Sequence, residues 1–161
     1  MGDRGNIVVI HKVYGAEDYE GVWLYSHWGG SRLEQTARKA VANSGRVGDP
    51  DYLTRIIFCN MIADGFRDLD TGQMGDEIIK RETDRFAEDT TTEKLADFAQ
   101  FLSAVVGEFM NKTGAGIGTQ GAGDQEHPTV CVDADTGEIW LDDSRPYLTS
   151  QVVANRQAVG V

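Results

Sequence analysis

Read for the spacing of apolar and polar positions, the chain opens with a β-branched run, Asn6-Ile7-Val8-Val9-Ile10-His11, which predicts a first strand. A short polar stretch, Gly15-Ala16-Glu17-Asp18, separates it from Gly21-Val22-Trp23-Leu24-Tyr25-Ser26, a second strand. The short link predicts that the two are antiparallel. Beyond Gly29 and Gly30 the period changes. Leu33, Ala37, Ala40 and Val41 repeat at helical spacing, and Ser31 with Glu34 reads as a capping box at the helix start. Gly45 and Gly48 close this helix. Asp49-Pro50 opens the next with an N-cap and a proline at the first helical position. Its stripe is Leu53, Ile56, Ile57 and Met61, and Gly65 is expected to stop it.

Residues 66–90 carry few apolar positions and read as exposed, with a turn at Asp70-Thr71-Gly72 and a short helix starting near Glu77. Thr90 with Glu93 caps a further helix. There Leu95, Phe98, Leu102, Val105 or Val106, and Phe109 form the densest apolar face of the chain. Five glycines between Gly114 and Gly123 predict a loop or an irregular strand with close backbone approach. Thr129–Asp133 and Glu138–Asp142 form a hairpin whose turn uses Gly137 for a positive φ angle. A last short helix follows Pro146 and runs through Ala154.

Strands at both ends and helices between them predict an α+β domain spanning residues 1–161. Its sheet is expected to be mainly antiparallel, built from the N-terminal strands and the C-terminal hairpin. Three or more helices are expected on one face, with residues 66–112 as a helical elaboration.

Composition narrows the function. The chain has 161 residues, 40% apolar and 25% charged, as in ordinary globular domains, but a formal net charge of −11. That excess opposes attraction to nucleic-acid phosphates and anionic membranes, so neither is an expected partner. No apolar run approaches the roughly 18–20 residues of a membrane-crossing helix, and no secretory signal pattern is present. A cytoplasmic protein is expected, with Cys59 and Cys131 reduced and buried.

Candidate chemistry concentrates in Tyr25-Ser26-His27-Trp28-Gly29-Gly30-Ser31, where a strand ends and a helix starts. Free N–H groups and the helix dipole favour an anion at such a start by up to about 1 kcal/mol. His27 can hydrogen-bond or move a proton, and Trp28 can stack on a flat group. Asp124, Glu126 and His127 enter the hairpin; if the hairpin lies beside the second strand, His127 and His27 face one pocket as an acid–base set. Other signals fail on context. Gly116-x-Gly118-x-x-Gly121 follows a helix and precedes none, so it is not a dinucleotide fingerprint. His11, His27, His127 and the cysteines lack paired metal-ligand spacing, and no metal or cofactor is expected. No Gly-x-Ser-x-Gly elbow exists, and the acidic residues Asp133, Asp135, Glu138, Asp142 and Asp143 read as a solvated hairpin tip.

Four motifs occur in order: Gly2-Asp3-Arg4-Gly5-Asn6-Ile7-Val8, Tyr25-Ser26-His27-Trp28-Gly29-Gly30, Tyr52-Leu53-Thr54-Arg55-Ile56-Ile57-Phe58 and Glu126-His127-Pro128. Together they resemble a family of small uncharacterised proteins from bacteriophages and actinobacterial genomes. No catalytic assignment carries over from the resemblance. It implies a phage-type accessory protein in a bacterial host cytoplasm, and it gives weight to Asp3, Arg4, Asn6, His27, Trp28 and Arg55. The resulting expectation is a binding module for a host protein or a small polar ligand, in a host-modulating or anti-defence role. Gly29, Gly30 and Ser31 would hold an anionic group, Trp28 would stack, Arg4 or Arg55 would neutralise charge, and His127 would line the site. The alternatives are a small hydrolase or transferase using His27 with an acid from residues 124–127, and an acidic inhibitor that imitates nucleic acid.

Overall fold

The computed structural model describes residues 2–68 and 114–158. Five strands form one mixed sheet: β1 (Gly5–Lys12), β2 (Tyr19–Ser26), β3 (Gly116–Gly118), β4 (Thr129–Asp133) and β5 (Ile139–Asp142), in the order β3-β2-β1-β4-β5. The described helices are α1 (Leu33–Ser44), α2 (Pro50–Asp68) and α3 (Thr149–Ala158). The α+β class is as the sequence predicts. The helix expected over residues 90–109 and the elaboration at 66–112 fall largely outside the described residues.

The strand β1 is central because its side chains are buried without alternation from Gly5 to Ile10. Such a run requires cover on both faces of the sheet. Ile7, Val9, Leu24, Val130 and Val132 pack against Leu33, Ala37 and Ala40 of α1 and Leu53, Ile57 and Met61 of α2. Val8, Ile10, Trp23 and Cys131 face the other way, onto Val152 of α3. The described helices therefore lie on both faces, not on one.

Register then fixes what meets what. β1 and β2 are antiparallel from Gly5↔Ser26 to Lys12↔Tyr19. β1 and β4 are parallel, with Ile7 opposite Val130 and Ile10 opposite Asp133. The C-terminal hairpin thus joins beside β1, and β2 takes the glycine-rich β3 as its outer neighbour, Leu24 opposite Ile117. The condition set for a shared His27–His127 pocket, a hairpin beside the second strand, is therefore not met.

Helix boundaries follow local chemistry with two departures. Gly45 ends α1 at φ 58°, and Asp49 Oδ1 accepts the Tyr52 N–H at the start of α2. However, α2 continues through Gly65 to Asp68. One glycine costs a helix only about 1 kcal/mol, which the packing of Leu53, Ile57 and Met61 outweighs. The Ser31–Glu34 capping box does not form. Residues Gly30–Arg32 make a 3-10 turn, Glu34 pairs with Arg38 one turn on, and a distant residue takes the Ser31 groups.

Candidate functional site: the junction of residues 3–4, 25–31 and 124–127

Sheet topology brings three segments to one place. The start of β1 adjoins the end of β2 because the pair is antiparallel, and it adjoins the start of β4 because that pair is parallel. Asp3 and Arg4, the Tyr25–Ser31 segment and the lead-in to β4 must therefore converge. Backbone bonds lace them together: Asp3 N–H to His27 O (3.0 Å), Gly30 N–H to Asp3 O (2.7 Å) and Glu126 N–H to Arg4 O (2.9 Å).

At the centre lies the Asp3 carboxylate. Oδ1 accepts the Ser31 N–H at 2.9 Å and lies 2.5 Å from His127 Nε2, while Oδ2 accepts the Ser31 hydroxyl at 2.7 Å. Burial pushes the acidity of this carboxyl down. The Ser31 hydroxyl, the Ser31 amide and His127 outweigh that and hold its pKa below the ordinary aspartate value. The Gly29 N–H goes to Ser26 Oγ at 2.9 Å. The amides of Gly29, Gly30 and Ser31 are thus all spent within the protein. The cradle read from the sequence exists, and it holds the chain's own Asp3.

Gly30 makes this packing possible. A Cβ there would sit 2.6 Å from the Arg4 carbonyl carbon and 2.7 Å from His127 Cδ2. No larger residue lets the backbone of residue 30 lie between those two groups.

Around the carboxylate, Arg4 reaches Asp124 at 2.8 Å, and among the described residues its buried Nε finds no hydrogen-bond partner. Tyr25 OH lies 3.1 Å from His27 Nδ1. Burial raises the Tyr25 pKa, with Asp124 and Glu126 adding to the rise and Arg4 opposing it. The His27 ring meets Trp28 edge-on at 4.3 Å between centres, and Trp28 remains 53% exposed. Asn6, fully buried, grips the backbone of Ala122 in both directions, at 3.0 and 3.1 Å, and pins the glycine-rich segment beside the cluster.

The structure therefore brings together Asp3, Arg4, His27, Trp28, Gly29, Gly30, Ser31 and His127. Arg55 does not join them; it stacks on Tyr52 of its own helix. Nor does the 124–127 loop supply His27 with an acid: Asp124 goes to Arg4, His127 goes to Asp3, and His27 bonds to Tyr25. Tyr25, read only as part of the Tyr25–Ser31 stretch, and Asp124, read only as a candidate acid for the histidines, take part instead as the His27 partner and the Arg4 partner.

Elsewhere the acidic hairpin is tied up structurally. Asp133 accepts the amides of Asp135 and Thr136 and pairs with Arg156, which also meets Glu138 and lies over the Trp140 ring. Cys131 is buried as expected, but Cys59 is exposed on α2. Among the described residues no three His, Cys, Asp or Glu side chains group to hold a metal ion, and no helix is long and apolar enough to cross a membrane. Comparison with protein-family models, with curated proteins and with solved structures returned no match.

Proposed function

We propose that the protein is a binding module that captures a partner protein at the junction of residues 3–4, 25–31 and 124–127. The observation that carries this reading is the exposed Trp28 on a braced base: its own loop amides are satisfied, and its neighbour His27 is fixed by Tyr25. An exposed, pre-organised tryptophan is a side-chain type that dominates binding energy in protein interfaces. The spent amides weigh against a small free anion, because it would first have to displace Asp3. The resemblance supplies the setting: a phage accessory protein acting on a host protein in the bacterial cytoplasm.

A hydrolase or transferase reading has the short Asp3–His127 contact in its favour. Against it, the Ser31 hydroxyl donates to the same carboxylate and not to an imidazole, so Ser31 is not a nucleophile resting on a base.

The test is paired capture from host lysate with wild type, Trp28→Ala and Tyr14→Ala, the last a fully exposed aromatic at the β1–β2 turn. Trp28→Ala should weaken capture of a saturable partner about thirtyfold, the roughly 2 kcal/mol of an interface anchor. Tyr14→Ala should keep it, and both variants should melt like wild type. Equal capture by Trp28→Ala, or no saturable capture by wild type, refutes the reading.

A further inference from the structure

Sheet order leaves β5 at an edge, with β4 as its single neighbour among the described residues. Register decides which of its backbone groups are spent. The Asp133 N–H bonds to the Glu138 carbonyl at 2.9 Å, so these two residues face each other as a hydrogen-bonded pair. In an antiparallel ladder such pairs recur at every second residue, which makes Cys131 with Trp140 and Thr129 with Asp142 the next two. Ile139 and Leu141 therefore turn their N–H and C=O groups away from β4. The far side of β4 obeys the same alternation: Ala134, in phase with Val130 and Val132, gives its N–H to Ile10 of β1 at 2.8 Å. Among the described residues no hydrogen bond takes the outward groups of Ile139 and Leu141.

The side chains set what an added strand would have to bring. Ile139 packs at the margin of the core under α1 and α2, and Leu141, two residues on, lies on the same face and is 43% exposed. Glu138, Trp140 and Asp142 alternate with them on the α3 face, where Trp140 packs beside Val152. Charge on that face is one-sided. Asp133 and Glu138 share the single guanidinium of Arg156, and Asp142 is held by neutral groups, Ser144 and Asn155. Asp143 follows, exposed, and among the described residues no cation pairs with it or with Asp142. Edge strands are commonly guarded by lysine or proline. β5 contains neither, and its negative ends repel acidic strands while leaving the edge open to basic ones. A second copy is the wrong occupant: antiparallel self-pairing about Trp140 sets Glu138 of each copy against Asp142 of the other and joins two molecules of net charge −11.

We infer that the outer edge of β5 docks an extended segment of a partner protein that alternates basic and apolar residues, added to the sheet as one more strand. Its backbone bonds to Ile139 and Leu141, its apolar side chains lie beside those two, and its basic side chains lie beside Glu138 and Asp142.

The experiment is an NMR titration of the full chain with a capped seven-residue peptide of alternating lysine and valine. Saturable shifts are expected at the Ile139 and Leu141 amides, and binding should weaken with added salt. The matching glutamate–valine peptide should not bind. Only alternate amides of an added strand face its neighbour, so N-methylation of one alternating set of peptide amides should abolish binding and N-methylation of the other set should spare it. That readout leaves the protein itself unaltered. Leu141→Pro removes one outward N–H without touching the bonds to β4 and should weaken binding about tenfold. Asp143→Lys should weaken it by a factor of about 2 to 5, and Glu20→Lys, on β2 and three strands away, should leave it unchanged. Absence of saturable binding overturns the inference, as does equal loss with both N-methylated sets or equal binding of the acidic peptide. Slow hydrogen exchange at the Ile139 and Leu141 amides of the free protein also overturns it: the edge is then already taken, by a second copy if sedimentation gives a dimer and by the chain itself if it gives a monomer. The edge shares no residue with the Trp28 junction, so failure here and failure of the capture experiment are separate results.

Discussion

Replacing Asp3 by Asn probes the junction most directly, because one carboxylate joins all three segments. The substitution keeps one carbonyl oxygen for the Ser31 N–H but removes the charge and the second acceptor that serves the Ser31 hydroxyl. Charge-assisted hydrogen bonds contribute about 1.5–3 kcal/mol when well shielded, and helix-start caps about 0.5–2 kcal/mol. The Asp3 side chain is 34% exposed, so solvent screening argues for the lower part of that span, roughly 1.5 kcal/mol. For a chain of this length the melting temperature should fall by about 3–6 °C.

The pH dependence carries a sign that a packing effect would not. Burial alone would raise the Asp3 pKa; the Ser31 hydroxyl and amide, with His127, lower it on balance. A carboxyl whose folded pKa lies below its unfolded value adds stability at pH above the unfolded value, about 3.9 for aspartate. That stability is lost as pH falls through the folded value. Melts of wild type and Asp3→Asn should differ at pH 5 and converge towards roughly pH 2–3. Asp124→Asn, which breaks an exposed ion pair, should cost less than about 1 kcal/mol. Superimposed melts at pH 5, or a gap of full size at the acid end, would show that the carboxylate does not hold the junction.

Two further outcomes follow from the geometry. Gly30→Ala drives a Cβ into the Arg4 carbonyl carbon and His127, and should destabilise by roughly 2–3 kcal/mol in urea titrations. Gly123→Ala, where a Cβ meets nothing within 4 Å, is the control and should change little. A thiol reagent should modify one cysteine of the folded protein, the exposed Cys59, and the second only after denaturation. Burial raises the Cys131 pKa as well as shielding the sulfur, so rapid reaction of two native thiols would contradict the packing of β4 against α3.

The sequence disclosed elements better than their assembly. The starts of β1, α2 and β4 and the Gly137 turn are local signals, and the structure has them where composition and spacing put them. Double-sided cover was signalled but not read: Ile7-Val8-Val9-Ile10 lacks the polar alternation of a one-faced strand, while the expectation put the helices on one face. Strand order was not, because nothing within Thr129–Asp133 says which neighbour it pairs with. The Ser31–Glu34 pattern misled for a related reason. A capping box is a local competitor, and here an aspartate 28 residues earlier in the chain reaches the same donors with a full charge. Arg55 was grouped with the junction by its motif, while its position on α2 hands it to Tyr52.

The occupied helix start changes what the junction can select. With its amides free, the Tyr25–Ser31 turn would attract small anions of many kinds. With Asp3 in place, the positive end of α1 is already neutralised, and His127 and the Ser31 hydroxyl are committed to the same carboxylate. What remains for an incoming surface is the exposed indole of Trp28, edge-packed on His27. Under the proposed reading, recognition there rests on aromatic and apolar contact. On the same reading, that favours a complementary protein surface over a free ion and makes the rigidity supplied by Asp3 part of recognition, so Asp3→Asn should weaken capture through the Ser31 and His127 contacts it removes.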